Sequence, residues 1–274
     1  MTMNRLFDAL GTLPSMPKVV QSLIVGLNDE NVELGSLSRD LRQDPTLSAR
    51  VLRLANSSYY GSSGRIGSID DAVAMIGLNA LRTLVVTSGV MGALSRVPGM
   101  NLNAFWTHAL LTAGLAGELA PAAGVQREVA YSTGLMHRIG QLLIALGHPD
   151  VIARIERDWR RMPVGEVVAA EHDLLGFDHC AVGAELARRW HFPSCVHQAL
   201  RHYADPMQEG AGTCAGLVHL AAQIALGCED DEAAGIIIGY LPAALWRDLG
   251  LQEASLLLAI HRGAALRYEV ARLV

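Results

Sequence analysis

The sequence predicts an all-α fold, and three observations carry that prediction. Apolar residues recur at helical spacing through nearly the whole chain, helix start and stop residues punctuate them, and no alternating strand pattern with hairpin turns appears. No internal repeat of ~20–50 residues is evident, which argues against a solenoid. At 274 residues the chain has room for one large domain or two modest ones.

Pro14 and Pro17 open the first helix, whose face is Val19, Val20, Leu23, Ile24 and Leu27; Asn28-Asp29 ends it. A second helix carries Leu34, Leu37 and Leu41. Asp44 then suits an N-cap and Pro45 a first helical residue for a third, Thr46 to Asn56, with Leu47, Val51, Leu54 and Ala55 inward and Arg50 and Arg53 elsewhere. A Ser/Gly-rich loop covers Ser57 to Gly67. Ser68 with Asp71 makes a capping-box-like start for a short helix to Ile76, Gly77 stops it, and an apolar helix runs from Leu78 to about Leu94. Val97-Pro98-Gly99 marks a boundary between two packed helical subdomains, 1–97 and 98–274. Beyond it helical spacing covers 103–120, 126–137, 139–146, 151–161 and 164–172. Asp178 caps a helix from His179 to Trp190, Pro193 opens 194–203, and 215–226 follows; further helices lie around Glu232 and from Gln252 to Val274.

Hydrophobic residues make up 51% of the chain and charged ones 18%, which implies a sizeable core. The net charge of −5 argues against nonspecific nucleic-acid binding and gives no reason to expect an anionic membrane as partner. Cys180, Cys195, Cys214 and Cys228 form no CxxC pair and read as buried free thiols of a reducing compartment. The N-terminal stretch lacks the apolar core of a secretory peptide. The most apolar run, Ala72 to Leu94, is broken by Asn79 and Arg82 and reads as a buried helix pair. These features predict a cytoplasmic protein.

All ten histidines follow residue 107. His108 falls in one amphipathic segment and His137-Arg138 at the end of the next, and histidines from neighbouring helices are how a bundle builds a metal pocket in its core. The plainer reading has them capping helices or hydrogen-bonding in the core, and no HExxH or other tight ligand spacing argues otherwise. The residue after His137 matters most. A metal hydrolase wants a hard anionic ligand there, whereas Arg138 is a permanent cation.

Leu135-Met136-His137-Arg138-Ile139-Gly140 resembles the hydrophobic-hydrophobic-His-Asp-Ile-Gly signature of HD-type phosphohydrolases. Other stretches resemble more specifically the HDOD family, the HD-related output domains of bacterial signalling proteins. They are Leu13-Pro14-Ser15-Met16-Pro17, the run from Asp44 to Ser57, Tyr60-Gly61, Ile69 to Val73, and Ile76-Gly77-Leu78. Phe105-Trp106-Thr107-His108, Gly176-Phe177-Asp178-His179 and Val182-Gly183-Ala184 through Trp190 and Pro193 complete a collinear match over about residues 13–205. The resemblance implies that the second subdomain is an HD-like bundle.

The resemblance matches His108 to the first metal histidine and His137 to the histidine of the HD doublet. It puts the doublet's aspartate on Arg138 and the last aspartate on Ala222, and it matches His179 and His202 to positions holding a second metal or phosphate in related enzymes. It therefore implies a relic pocket of His108, His137, Arg138, His179, His202 and Ala222, with no metal, cofactor or catalysis, in a signalling module that binds another protein. Four alternatives stay open: an enzyme rebuilt with Glu171, Asp173 or Asp178; a metal held by the four histidines; an anion held by Arg138; and a DNA-binding helix-turn-helix at Asp44–Asn56. The apolar runs Ile236-Ile237-Ile238, Tyr240-Leu241 and Leu256-Leu257-Leu258 are core or a homodimer patch. The loop with Tyr59, Tyr60 and Arg65 is a partner contact or a connector.

Overall fold

The computed structural model describes residues 2–11, 15–25, 37, 39–41, 43–57, 66–155 and 162–273; these are mostly helical, with no strand among them. The helices before the central turn are α1 (Met3–Ala9), α2 (Lys18–Val25), α3 (Pro45–Ala55), α4 (Ile69–Ile76) and α5 (Leu78–Ala93). After it come α6 (Leu102–Leu119), a 3-10 turn at Ala120–Ala123, α7 (Arg127–Met136), α8 (Ile139–Gly147), α9 (Pro149–Ile155), α10 (Val164–Leu175) and α11 (His179–Arg189). The C-terminal part holds α12 (Ser194–His202), α13 (Gly212–Glu229), α14 (Ala234–Tyr240), α15 (Ala243–Asp248) and α16 (Glu253–Leu273). The expected residues Pro14, Leu27 and Leu34, most of the loop from Ser57 to Gly67, and the end of the 151–161 helix lie outside the described residues.

The caps form as the sequence predicts. Asp44 Oδ1 accepts from Leu47 N at 2.9 Å, Ser68 Oγ from Asp71 N at 3.0 Å, and Asp178 Oδ1 from Ala181 N at 2.8 Å. Each satisfies an amide that the first helical turn leaves without a partner. Asn101 does the same for α6, accepting from Ala104 N at 3.1 Å. α1 is an element the periodicity did not mark; it buries Leu6 and Phe7, with a short packing face against α8. Of the cysteines, Cys180 and Cys228 are buried as expected, but Cys195 is exposed, because it sits on the solvent side of the amphipathic α12.

α6 is the axis of the molecule. It is buried nearly all round and packed by α7, α13 and α16. One apolar core runs from Leu6 and Val20 through Leu84 and Leu135 to Val270, continuous across the turn at Val97–Gly99. A second cluster gathers α13 to α16 against the far end of α6. Within the runs flagged near the C-terminus, Ile237 and Leu256 are core, while Ile236, Tyr240 and Leu258 are exposed. On α3, Arg53 donates to the Arg272 carbonyl of α16 at 2.6 Å, and the Arg50 guanidinium rests on Gly92 of α5.

Two close helix contacts set the geometry of the site. A Cβ at Gly134 would lie 2.9 Å from Ala113 Cα, so α7 approaches α6 at backbone distance. A Cβ at Gly140 would lie 2.0 Å from the His179 carbonyl oxygen and 2.8 Å from Gly183 N, so α8 rests on the first turns of α11. Backbone cannot yield as a flexible side chain can. Gly140→Ala should therefore lower stability by about 3 kcal/mol, despite the better helix propensity of alanine, as read from urea unfolding midpoints.

Candidate functional site

α7 ends at Met136, and His137 and Arg138 form the joint to α8. Helical geometry still holds at His137, whose Nδ1–H donates to the Gly134 carbonyl at 2.7 Å. That bond fixes the tautomer and leaves Nε2 a bare lone pair, buried and without a hydrogen-bond partner. Burial, reinforced by the neighbouring His108 and Arg138, pushes the His137 pKa well below the ordinary histidine range, so the ring is neutral.

From Arg138 a polar chain runs through the interior. Its Nε donates to Gln141 Oε1 at 2.9 Å, and Gln141 Nε2 donates to Glu171 Oε1 at 3.2 Å. Glu171, on α10 and fully buried, accepts on Oε2 from the His179 backbone N at 2.7 Å and from His179 Nδ1 at 2.6 Å. His179 Nε2 lies 2.5 Å from the Tyr203 hydroxyl. Burial opposes charge on His179, but the neighbouring Cys180 and the Glu171 carboxylate outweigh it and hold the imidazole pKa well above its usual range. Burial likewise opposes charge on Glu171, and the His179 cation with its two donors holds that carboxyl below its usual range. Burial pushes Tyr203 well above the ordinary phenol range, so it keeps its proton.

His108, on α6, has its ring 5.2 Å from that of His137, and its Nδ1 donates to Glu229 Oε1 at 3.0 Å. On α13, His219 donates from Nδ1 to the Tyr203 carbonyl at 2.9 Å and accepts on Nε2 from Gln223 Nε2 at 3.0 Å. Burial lowers the His219 pKa as well. These groups, with the methyl of Ala222, line a cleft of about 600 Å³ whose other wall is Pro163, Val164, Val167 and Leu226 and whose rim carries Asp230, Glu232 and Tyr240.

Five of the six residues expected in the pocket are thus together: His108, His137, Arg138, His179 and Ala222. His202 is not. It turns outward, with Nδ1 3.0 Å from Gln208 Oε1, and the inward position goes to the next residue, Tyr203, because adjacent helical residues point about 100° apart. Of the three carboxylates considered for a rebuilt site, Glu171 is inside, Asp173 is exposed and Asp178 caps α11. Sequence reading missed Tyr203, Glu229 and Gln223. The last two were within reach, since α13 continues past Leu226 to Glu229 and keeps the spacing of His219, Gln223 and Leu226 on one face.

The donor set does not fit a divalent metal. His179 has both nitrogens engaged, His108 Nδ1 faces Glu229, Ala222 has no donor, and Arg138 brings a cation where a carboxylate ligand is wanted. Among the described residues no three His, Cys, Asp or Glu side chains group as metal ligands. None of the described helices is long and apolar enough to cross a membrane.

The HD-like helical scaffold and its histidine cavity define the class, and the chain belongs to the HDOD domain family, whose family model matches residues 13–206. Its fold is similar to that of a candidate phosphohydrolase from Shewanella amazonensis SB2B, at a TM-score of 0.80 and 32% identity, covering 98% of this chain and 97% of that one. It is similar too to a candidate signal transduction protein from Marinobacter aquaeolei VT8, at a TM-score of 0.74 and 25% identity over 95% of this chain and 59% of that one. An uncharacterized protein of Treponema pallidum is 26% identical over 72% of this chain and 38% of its own length. The chain spans about two fifths of the length of the curated relatives it matches.

Glu171→Gln should cost about 3–5 kcal/mol near pH 6, because it removes the carboxylate that the buried His179 imidazole and backbone N–H both donate to. The pH dependence should also weaken. With Glu171 present, the folded pKa of His179 lies above its unfolded value near ~6.5, so its contribution is full below that pH and is lost as pH rises through the folded pKa. Without the carboxylate one of the groups that raise the His179 pKa is gone, so the loss of stability as pH rises from 6 to 8 should be smaller in urea unfolding.

Proposed function

We propose that the protein is a non-catalytic signal-transduction output module of a bacterial pathway, acting through protein–protein contact on a scaffold shared with phosphohydrolases. The observation that carries this reading is Arg138. It stands where the family pattern of HD enzymes has an aspartate, and it is the head of the buried chain through Gln141 and Glu171 to His179. Metal-assisted hydrolysis needs a cation to generate hydroxide and to neutralise charge on the phosphate oxygens. A guanidinium at that place opposes metal uptake and cannot release its proton. The name of the Marinobacter relative agrees with a signalling role.

The name of the Shewanella relative favours hydrolysis instead, and one local feature agrees with it: Glu229 brings a carboxylate to His108. That carboxylate is already spent on an imidazole nitrogen, and among the described residues none bonds His137 Nε2. The DNA-binding reading is weaker again, since Arg53 of α3 is tied to α16 and Arg50 lies against α5. Exposed Ile236, Tyr240 and Leu258 supply apolar surface of the kind a protein partner covers.

Purified protein given Mn²⁺, Fe²⁺ or Zn²⁺ should hydrolyse bis-p-nitrophenyl phosphate no faster than buffer does. Metal-dependent turnover that disappears in His137→Ala would sink the reading. Restoring both carboxylates, Arg138→Asp with Ala222→Asp, should raise bound metal from trace to near one equivalent by elemental analysis. On the partner side, Ile236→Asp and Leu258→Asp should abolish cross-linking to the cellular partner while leaving the helical circular dichroism unchanged.

A further inference from the structure

Two atoms of the cavity wall are left with one-sided hydrogen bonding. His137 commits its N–H to the Gly134 carbonyl, so its buried Nε2 can only accept, and it has no partner. Gln223 is fixed the same way. His219 Nε2 must be an acceptor, because its Nδ1–H goes to the Tyr203 carbonyl; Gln223 therefore donates to it with its amide and leaves Oε1 buried and unpartnered. Two acceptors, one from the end of α7 and one from α13, thus border the same space, each without a hydrogen-bond partner among the described residues. A buried polar group left in that state has given up its hydration with nothing in return.

The charges around the cleft narrow what can answer them. An anion would find Arg138, but also Asp230 and Glu232 at the rim and two acceptors inside. A cation would meet Arg138. The apolar wall of Val164, Val167 and Leu226 gives water poor company in a space of about 600 Å³, which is the size of a small organic ligand. Tyr203 adds a donor: its oxygen receives the His179 Nε2 proton, and its own O–H is left to give.

We propose that this cavity binds an uncharged small molecule of the carboxamide class, one that presents N–H donors beside an acceptor. The N–H groups meet His137 Nε2 and Gln223 Oε1, and the ligand's carbonyl or ring nitrogen takes the Tyr203 hydroxyl. Such a site needs no metal and no phosphate, and it stands independently of the output role.

Benzamide is a suitable probe, with N,N-dimethylbenzamide (no N–H) and benzoate (anionic, no N–H) as its near-isosteric controls. Nitrogen NMR of the full chain labelled at histidine reads the result directly. Benzamide should shift the His137 Nε2 resonance saturably, with both controls at least tenfold weaker. Gln223→Leu, a change at a half-buried position, should weaken benzamide about tenfold, the equivalent of ~1.4 kcal/mol. If that variant misfolds, the three probes on the unaltered protein decide alone. Benzoate binding as tightly as benzamide, dimethylbenzamide shifting the same resonance equally, or a His137 signal unmoved by benzamide would each overturn the proposal.

Discussion

Glu171 is a carboxylate with no exposed surface, and much of the molecule around it is arranged to make that tolerable. Removing such a charge from water costs several kcal/mol unless its oxygens find donors. Here they find the first backbone amide of α11, the imidazole of the same residue, and the amide of Gln141. The arrangement fixes where α11 begins relative to α10. It also fixes the orientation of Gln141, and through Gln141 the Nε of Arg138. The helix terminus helps, since its unpaired amides and positive dipole end face the carboxylate.

The same interaction explains how an arginine can occupy a position where related enzymes have an acid. A lone guanidinium in the interior would be prohibitive, yet Arg138 is only 9% exposed. It is one end of a chain whose formal charges nearly balance: Arg138 and the His179 imidazolium against Glu171, with Glu229 beside His108 completing the set. The cation at residue 138 is thus linked through Gln141 to the acid on α10. The family fold survives because the apolar contacts of Leu135, Met136 and Ile139 beside the joint carry the packing.

How far the sequence foretold this depends on the range of the interaction. Asp44, Ser68 and Asp178 were legible as caps because a cap is decided within three residues. Arg138 with Gln141 was legible in principle at helical spacing. Glu171 was legible as a candidate carboxylate, but its pairing with His179 was not, because that depends on how α10 turns into α11. Tyr203 was missed and His202 favoured. The family pattern fixed the helix but not its rotation, and one residue is about 100° of rotation. Glu229 was missed because α13 runs a turn beyond the predicted end. The His108 to Glu229 contact spans 121 positions, which no local pattern reports.

The position of α16 has a consequence for how the chain is made. α6 is covered in part by a helix that ends at Leu273, and Val270 of that helix belongs to the main core. During translation, the apolar flank of α6 emerges more than a hundred residues before its cover. A nascent chain therefore exposes that flank until synthesis has passed the last turn of α16, an interval of about ten seconds or more at ordinary elongation rates. Over that interval the N-terminal half presents a sticky, half-finished core, and it is then that a chaperone would have most to hold.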